Sequence, residues 1–165
     1  MTSIRRNKRV GTECETECVN IINDMIKRKR FKGIAYRYVM SKSRFQPIDV
    51  LVDGKYYLGI ECKDRTVKNS NVKLRYDDIS KKGTDDRYQI EHQLDFLNKA
   101  CRSGLYYFRF HFKEHKDTVR VFIPHTTMIK PLKDGSKTVS VKYILEHGYI
   151  YKGDLTELFK YIKSL

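Results

Sequence analysis

The chain has 165 residues, enough for one domain with a substantial core and too few for two. Its 34 Lys+Arg against 20 Asp+Glu leave a formal charge of +14 and a pI near 9.6, a field that favours nucleic acid and other polyanions as partners. No apolar run approaches the roughly 20 residues that span a bilayer, the first nine residues lack the apolar stretch of a secretion signal, and the four cysteines form no C-x-x-C pair, so the expectation is a cytoplasmic protein with reduced thiols and no membrane partner.

Residues 1–9, with Arg5, Arg6, Lys8 and Arg9, read as a mobile basic arm. From Thr12 to about Arg30 the spacing of Cys14, Cys18, Ile21, Ile22, Met25 and Ile26 is helical, with Thr12 as N-cap and Lys27 to Arg30 at the end where the helix dipole favours cations. At about 100° per residue, Glu13 and Glu17 project to the polar side, whereas Glu15 falls in the apolar sector. A carboxylate there either reaches water at its tip or is paired or bound to a metal.

Ile34 to Met40 reads as a first strand, and Ser43 to Lys63 as a β-hairpin. Ile48, Val50 and Val52 alternate with Asp49, Leu51 and Asp53; Asp53-Gly54 supplies the turn; Tyr56, Leu58, Ile60 and Cys62 alternate with Tyr57, Gly59, Glu61 and Lys63. A half-buried hairpin has no structural need for Asp49, Glu61 and Lys63. Two carboxylates on adjacent strands repel unless a cation lies between them, so the trio is either a metal site or a cross-strand ion-pair cluster.

Asp64 to Asp86 is polar and reads as a long loop with a short element at Val72 to Tyr76. Tyr88 to Arg102 is helical, with Ile90, Leu94, Leu97 and Cys101 on one side and Gly104 just past its end. Leu105 to Phe112 and Thr118 to Ile123 form a second hairpin closed by Pro124. Beyond it, His125 to Lys137 read as connections, and Val139 to His147 and Leu155 to Leu165 as short helices. The order predicts an α/β fold, a mixed β-sheet flanked by helices with a short helical C-terminal tail.

Pro47-Ile48-Asp49 followed by Glu61-Cys62-Lys63 resembles the PD-(D/E)XK signature of restriction-endonuclease-like nucleases, with Glu15 placed as in the first helix of that superfamily. Tyr88-Gln89-Ile90-Glu91-His92 and Ser103 to Phe110 extend the likeness toward Holliday junction resolvases of the RecU type. The stalk of those proteins is reduced here to Met40 to Gln46, similar to the trimmed archaeal resolvases, in which a serine and basic residues precede the catalytic aspartate. The resemblance implies one nuclease domain over residues 1–165, with a core at 10–123 and an extension at 124–165. It implies Mg²⁺ or Mn²⁺ held by Asp49, Glu61 and the Cys62 carbonyl, with Glu15 at a second metal or a metal-bound water. Lys63 would orient the attacking water, and Gln89 would hold that water or the scissile phosphate. Arg37, Ser43, Arg44 and Arg65 are the candidate DNA contacts. The implied activity is resolution of four-way DNA junctions by a homodimer; the alternatives are a nuclease of the same type acting on linear or single-stranded DNA, and a non-catalytic DNA-binding module.

Overall fold

In a computed structural model the described residues are 3–39 and 47–165, with side chains described from residue 11 onward. Along the chain run α1 (Ser3–Lys29), β1 (Gly33–Arg37), β2 (Val50–Gly54), β3 (Leu58–Val67), β4 (Lys73–Arg75), α2 (Tyr76–Ile79), α3 (Gln89–Lys99), β5 (Ser103–Phe112), β6 (Asp117–Pro124), α4 (His125–Met128), α5 (Lys130–Lys133), β7 (Thr138–Ser140), α6 (Val141–His147), β8 (Tyr149–Tyr151) and α7 (Leu155–Lys163). Six strands form one sheet in the order β1-β2-β3-β5-β6-β8; β4 and β7 pair separately. Only β3 and β5 are parallel in the main sheet, and a crossover through β4, α2 and α3 joins them. This is the mixed sheet flanked by helices that the order of elements predicts.

Strand alternation divides the core into two layers. Val50, Val52, Ile60 and Tyr107 point to one face, where Cys14, Cys18, Ile22 and Met25 of α1 and Leu158 and Ile162 of α7 cover them. Tyr106, Phe108 and Phe110 point to the other, against Tyr76, Ile79, Ile90, Met128 and Ile144. Burying each large apolar side chain stabilises by about 1.5–3 kcal/mol, so the sheet holds both layers of helices onto it. Cys14 and Cys18 are, as expected, part of the apolar face of their helix.

Several expectations are corrected. The backbone is already helical at Ser3, so residues 3–9 are the first turns of α1 rather than an arm, and Thr12 is internal, accepting from Thr16 Oγ1 through its carbonyl, rather than an N-cap. The segment after Lys63 is less loop-like: β3 runs on to Val67 because β5 pairs with it along its whole length, and β4 and α2 follow. Asp53-Gly54 does not close the first hairpin by itself. Gly54 (φ 139°) ends β2 paired with Gly33, where a side chain would run into the Lys32 carbonyl, and Lys55 to Tyr57 make the connection. Residues 124–165 end in the expected helix, α7, which packs on α1, and also supply an unexpected edge strand, β8, bonded to β6.

Candidate active site

The β2–β3 register pairs Val50 with Ile60, so one step further Asp49 stands opposite Glu61. The Cys62 amide donates to Asp49 Oδ2 at 2.8 Å, and the Tyr38 amide donates to the Asp49 carbonyl at 2.8 Å, fixing Asp49 from both neighbouring strands. Glu61 and Lys63, two residues apart, share a face with Asp49 while Cys62 turns toward α1. Lys63 Nζ donates to Glu61 Oε1 at 2.5 Å. The hairpin is covered on both sides; Glu61 is only 2% exposed, which excludes an ion-pair cluster on a solvated face.

Burial pushes the Asp49 carboxyl up to about 7, and the neighbouring Glu61 charge pushes in the same direction against the pull of Lys63 and the Cys62 amide. Burial alone would depress Lys63, but Glu61 and Asp49 outweigh it and hold the ammonium above its ordinary range. Glu15 approaches from α1. Burial raises its pKa, and the charge of Asp49 adds to that, while Arg37 Nε donates to Oε2 at 2.6 Å. The helical sector of Glu15 therefore leads to the margin of this site, with Arg37 as its direct partner.

Gln89, the residue expected to hold the attacking water or the scissile phosphate, starts α3, and a second amide, that of Gln93, reaches the carboxylates. The Gln89 backbone caps the start of α3 by donating to the Lys81 carbonyl, and one turn later Gln93 Nε2 donates to Glu61 Oε2 at 2.8 Å. Gln93 is fully buried; its Oε1 accepts from the Tyr106 hydroxyl at 3.0 Å and lies 3.1 Å from His125 Nε2. The signal was present in the sequence, because Gln93 is a polar residue in the stripe Ile90, Gln93, Leu97, the same anomaly that singles out Glu15.

Arg65 donates to the carbonyls of Asp64 and Asp78, tethering β3 to α2, and remains partly exposed. Ser43 and Arg44 lie outside the described residues. Glu17 departs from its expected place on the polar side: Tyr107 Oη donates to it at 2.5 Å, Arg109 Nη1 at 2.8 Å, and Arg120 through Nε. Arg109 also binds Asp64, whose other oxygen faces His111 Nε2 at 3.0 Å. This second polar cluster, on the α1 face of β5 and β6, was not expected.

Among the described residues, no three His, Cys, Asp or Glu side chains gather closely enough to hold a metal ion. Glu15 thus stands apart from the Asp49–Glu61 pair. The pair itself fits a small hard cation, since a buried and a half-buried carboxylate crowd each other and Mg²⁺ keeps several of its waters when few protein oxygens bind it.

No protein-family model and no curated protein matches the sequence. Among solved structures the chain is similar to Hjc of Archaeoglobus fulgidus, a Holliday junction resolvase from an archaeal hyperthermophile, at 17% identity and a TM-score of 0.48 over 79% of this chain and 93% of that one. None of the described helices is long and apolar enough to cross a membrane.

Proposed function

We propose that this protein is a metal-dependent DNA endonuclease and that four-way junctions are its preferred substrate. The observation that carries the reading is the trio Asp49, Glu61 and Lys63 brought together by two adjacent strands, with Glu61 buried and fixed by a lysine on one oxygen and an amide on the other. Mg²⁺ or Mn²⁺ held by Asp49, Glu61 and the Cys62 carbonyl would supply an activated water and charge neutralisation at the phosphate. Lys63 spends one N–H on Glu61 and has two left to orient a water and to oppose charge building on the phosphate. Glu15, at the margin, presents its carboxylate on the α1 side with Arg37 neutralising it. The formal charge of +14 draws the DNA backbone to the surface, where Arg37, Arg44, Ser43 and Arg65 are the proposed contacts.

Each chain carries one such site, and a junction is opened by two opposed cuts, so the working form is a C2 homodimer. The test is cleavage of labelled four-way junction, linear duplex and single strand with Mg²⁺, with chelator, and by Asp49→Ala and Glu61→Ala. Cleavage of the junction alone, abolished by chelator and by both substitutions, is the expected result. Equal cleavage of duplex would leave a nuclease of broader substrate range. Binding without any cleavage, unchanged in the variants, would make the chain a DNA-binding module.

A further inference from the structure

The polar side chains behind Glu61 form a chain in which the charge of Glu61 favours one assignment of hydrogens. A glutamate carboxylate paired with Lys63 accepts and does not donate, so the Gln93 group within 2.8 Å of it must be the NH₂. That fixes the amide oxygen on the far side, against the Tyr106 hydroxyl at 3.0 Å and the His125 ring at 3.1 Å. An oxygen facing His125 Nε2 requires that nitrogen to carry the proton. The other ring nitrogen, Nδ1, is then a bare lone pair, and it is the buried side-chain atom that lacks a hydrogen-bond partner among the described residues. The Gly104 backbone lies beside Nδ1 and favours a proton on the ring, so the bare lone pair there is a cost that the Gln93–Glu61 contact must outweigh. His125 is 1% exposed and cannot turn to water.

The opposite arrangement would flip the amide, give its NH₂ to Nε2 and move the proton to Nδ1. It would also set the amide oxygen against the Glu61 carboxylate, two acceptors with no proton between them. Such a contact leaves buried groups unsatisfied and is the more expensive fault.

We propose that His125 and Tyr106 are positioning residues for Glu61, locking the Gln93 amide in the one orientation that donates to it, and that the charge of Glu61 in turn selects the Nε2–H tautomer of His125. The role assigned to Glu61 rests on the nuclease reading; the tautomer lock does not. Partners of this kind change activity by about 10–100-fold when removed, because a ligand or catalytic carboxylate that swings loses its alignment.

Two measurements decide it. Long-range ¹H–¹⁵N correlation on histidine-labelled protein, assigned by loss of the signal in His125→Gln, should show His125 as the Nε2–H tautomer, shifting toward Nδ1–H in Glu61→Leu. A wild-type Nδ1–H tautomer, or one indifferent to Glu61→Leu, would overturn the lock whether or not the protein cuts DNA. In the cleavage assay, His125→Gln puts an N–H where Nε2 was, and His125→Asn puts it one atom-pair short. We expect kcat to stay within about threefold for His125→Gln and to fall about 10–100-fold for His125→Asn and Tyr106→Phe, with KM for DNA unchanged. Equal kcat in all three variants, at unaltered melting temperature, would reduce His125 and Tyr106 to packing.

Discussion

At Glu17 three donors converge on one carboxylate, and the balance of forces there is visible in its proton affinity. Burial by itself would raise the group, but donation from Arg120, Tyr107 and Arg109 overrides that and holds it at about 2, below the ordinary 4.5. A depressed carboxylate contributes stability above the unfolded value and loses it as pH falls through the folded one. Stability against urea should therefore fall as pH drops from 4.5 toward 2, by about 1–2 kcal/mol once screening at this partly exposed site is allowed for, and Glu17→Gln should remove that part of the slope while destabilising at neutral pH. His125 adds a separate window. Its burial depresses the imidazole from 6.5 to about 3, so the unfolded chain binds a proton that the folded one refuses. His125 contributes a loss of about 1.4 kcal/mol per pH unit as pH drops below 6.5, while Asp49, raised to about 7, contributes an opposing gain over the same range, so His125→Gln should tilt the profile between pH 6.5 and 4.5 toward greater stability at lower pH than in the wild type.

At the scale of elements, the docking of α3 on the sheet depends on what β5 leaves out. A side chain at Gly104 would enter the space of Leu97 Cδ1 and come within 2.9 Å of His125 Nδ1. Gly104→Ala should cost about 1–3 kcal/mol by overpacking, seen as a lower urea midpoint with unchanged slope, and should disturb the Gln93 amide before it disturbs the hairpin. The same element shows how far the sequence could be read. Period-2 alternation in Ile48 to Lys63 was strong enough to put Asp49, Glu61 and Lys63 on one face and Cys62 on the other, as observed. Periodicity also gave α3, but not which of its glutamines faces inward. Likeness to a motif points to Gln89, and the buried stripe adds Gln93, whose partner depends on how the helix rolls against Tyr106. The place of Glu17 was not legible for a related reason: it borders the apolar stripe of α1, and only pairing of β5 with β6 brings Arg109 and Arg120 beneath it. The edge strand β8 is three residues long, too short for alternation to register.

The molecule as a whole is defined by its charge and by its two covered faces. Binding to any DNA should weaken steeply with salt, with log Kobs falling by about 0.9 per phosphate neutralised on duplex; titrations at 50 and 200 mM salt should differ by more than tenfold. A slope near zero would remove the backbone-contact part of the proposed function.

The parallel pairing of β3 with β5 has a consequence in time. Their partners lie about 45 residues apart in sequence, so this pairing closes the largest loop in the sheet and belongs to the slow, non-local part of folding. Asp49, Glu61 and Lys63 meet through a local hairpin and assemble early. Gln93, Tyr106 and His125 arrive only when the crossover docks. A chain emerging from the ribosome thus carries the carboxylates and the lysine before the amide that steadies them.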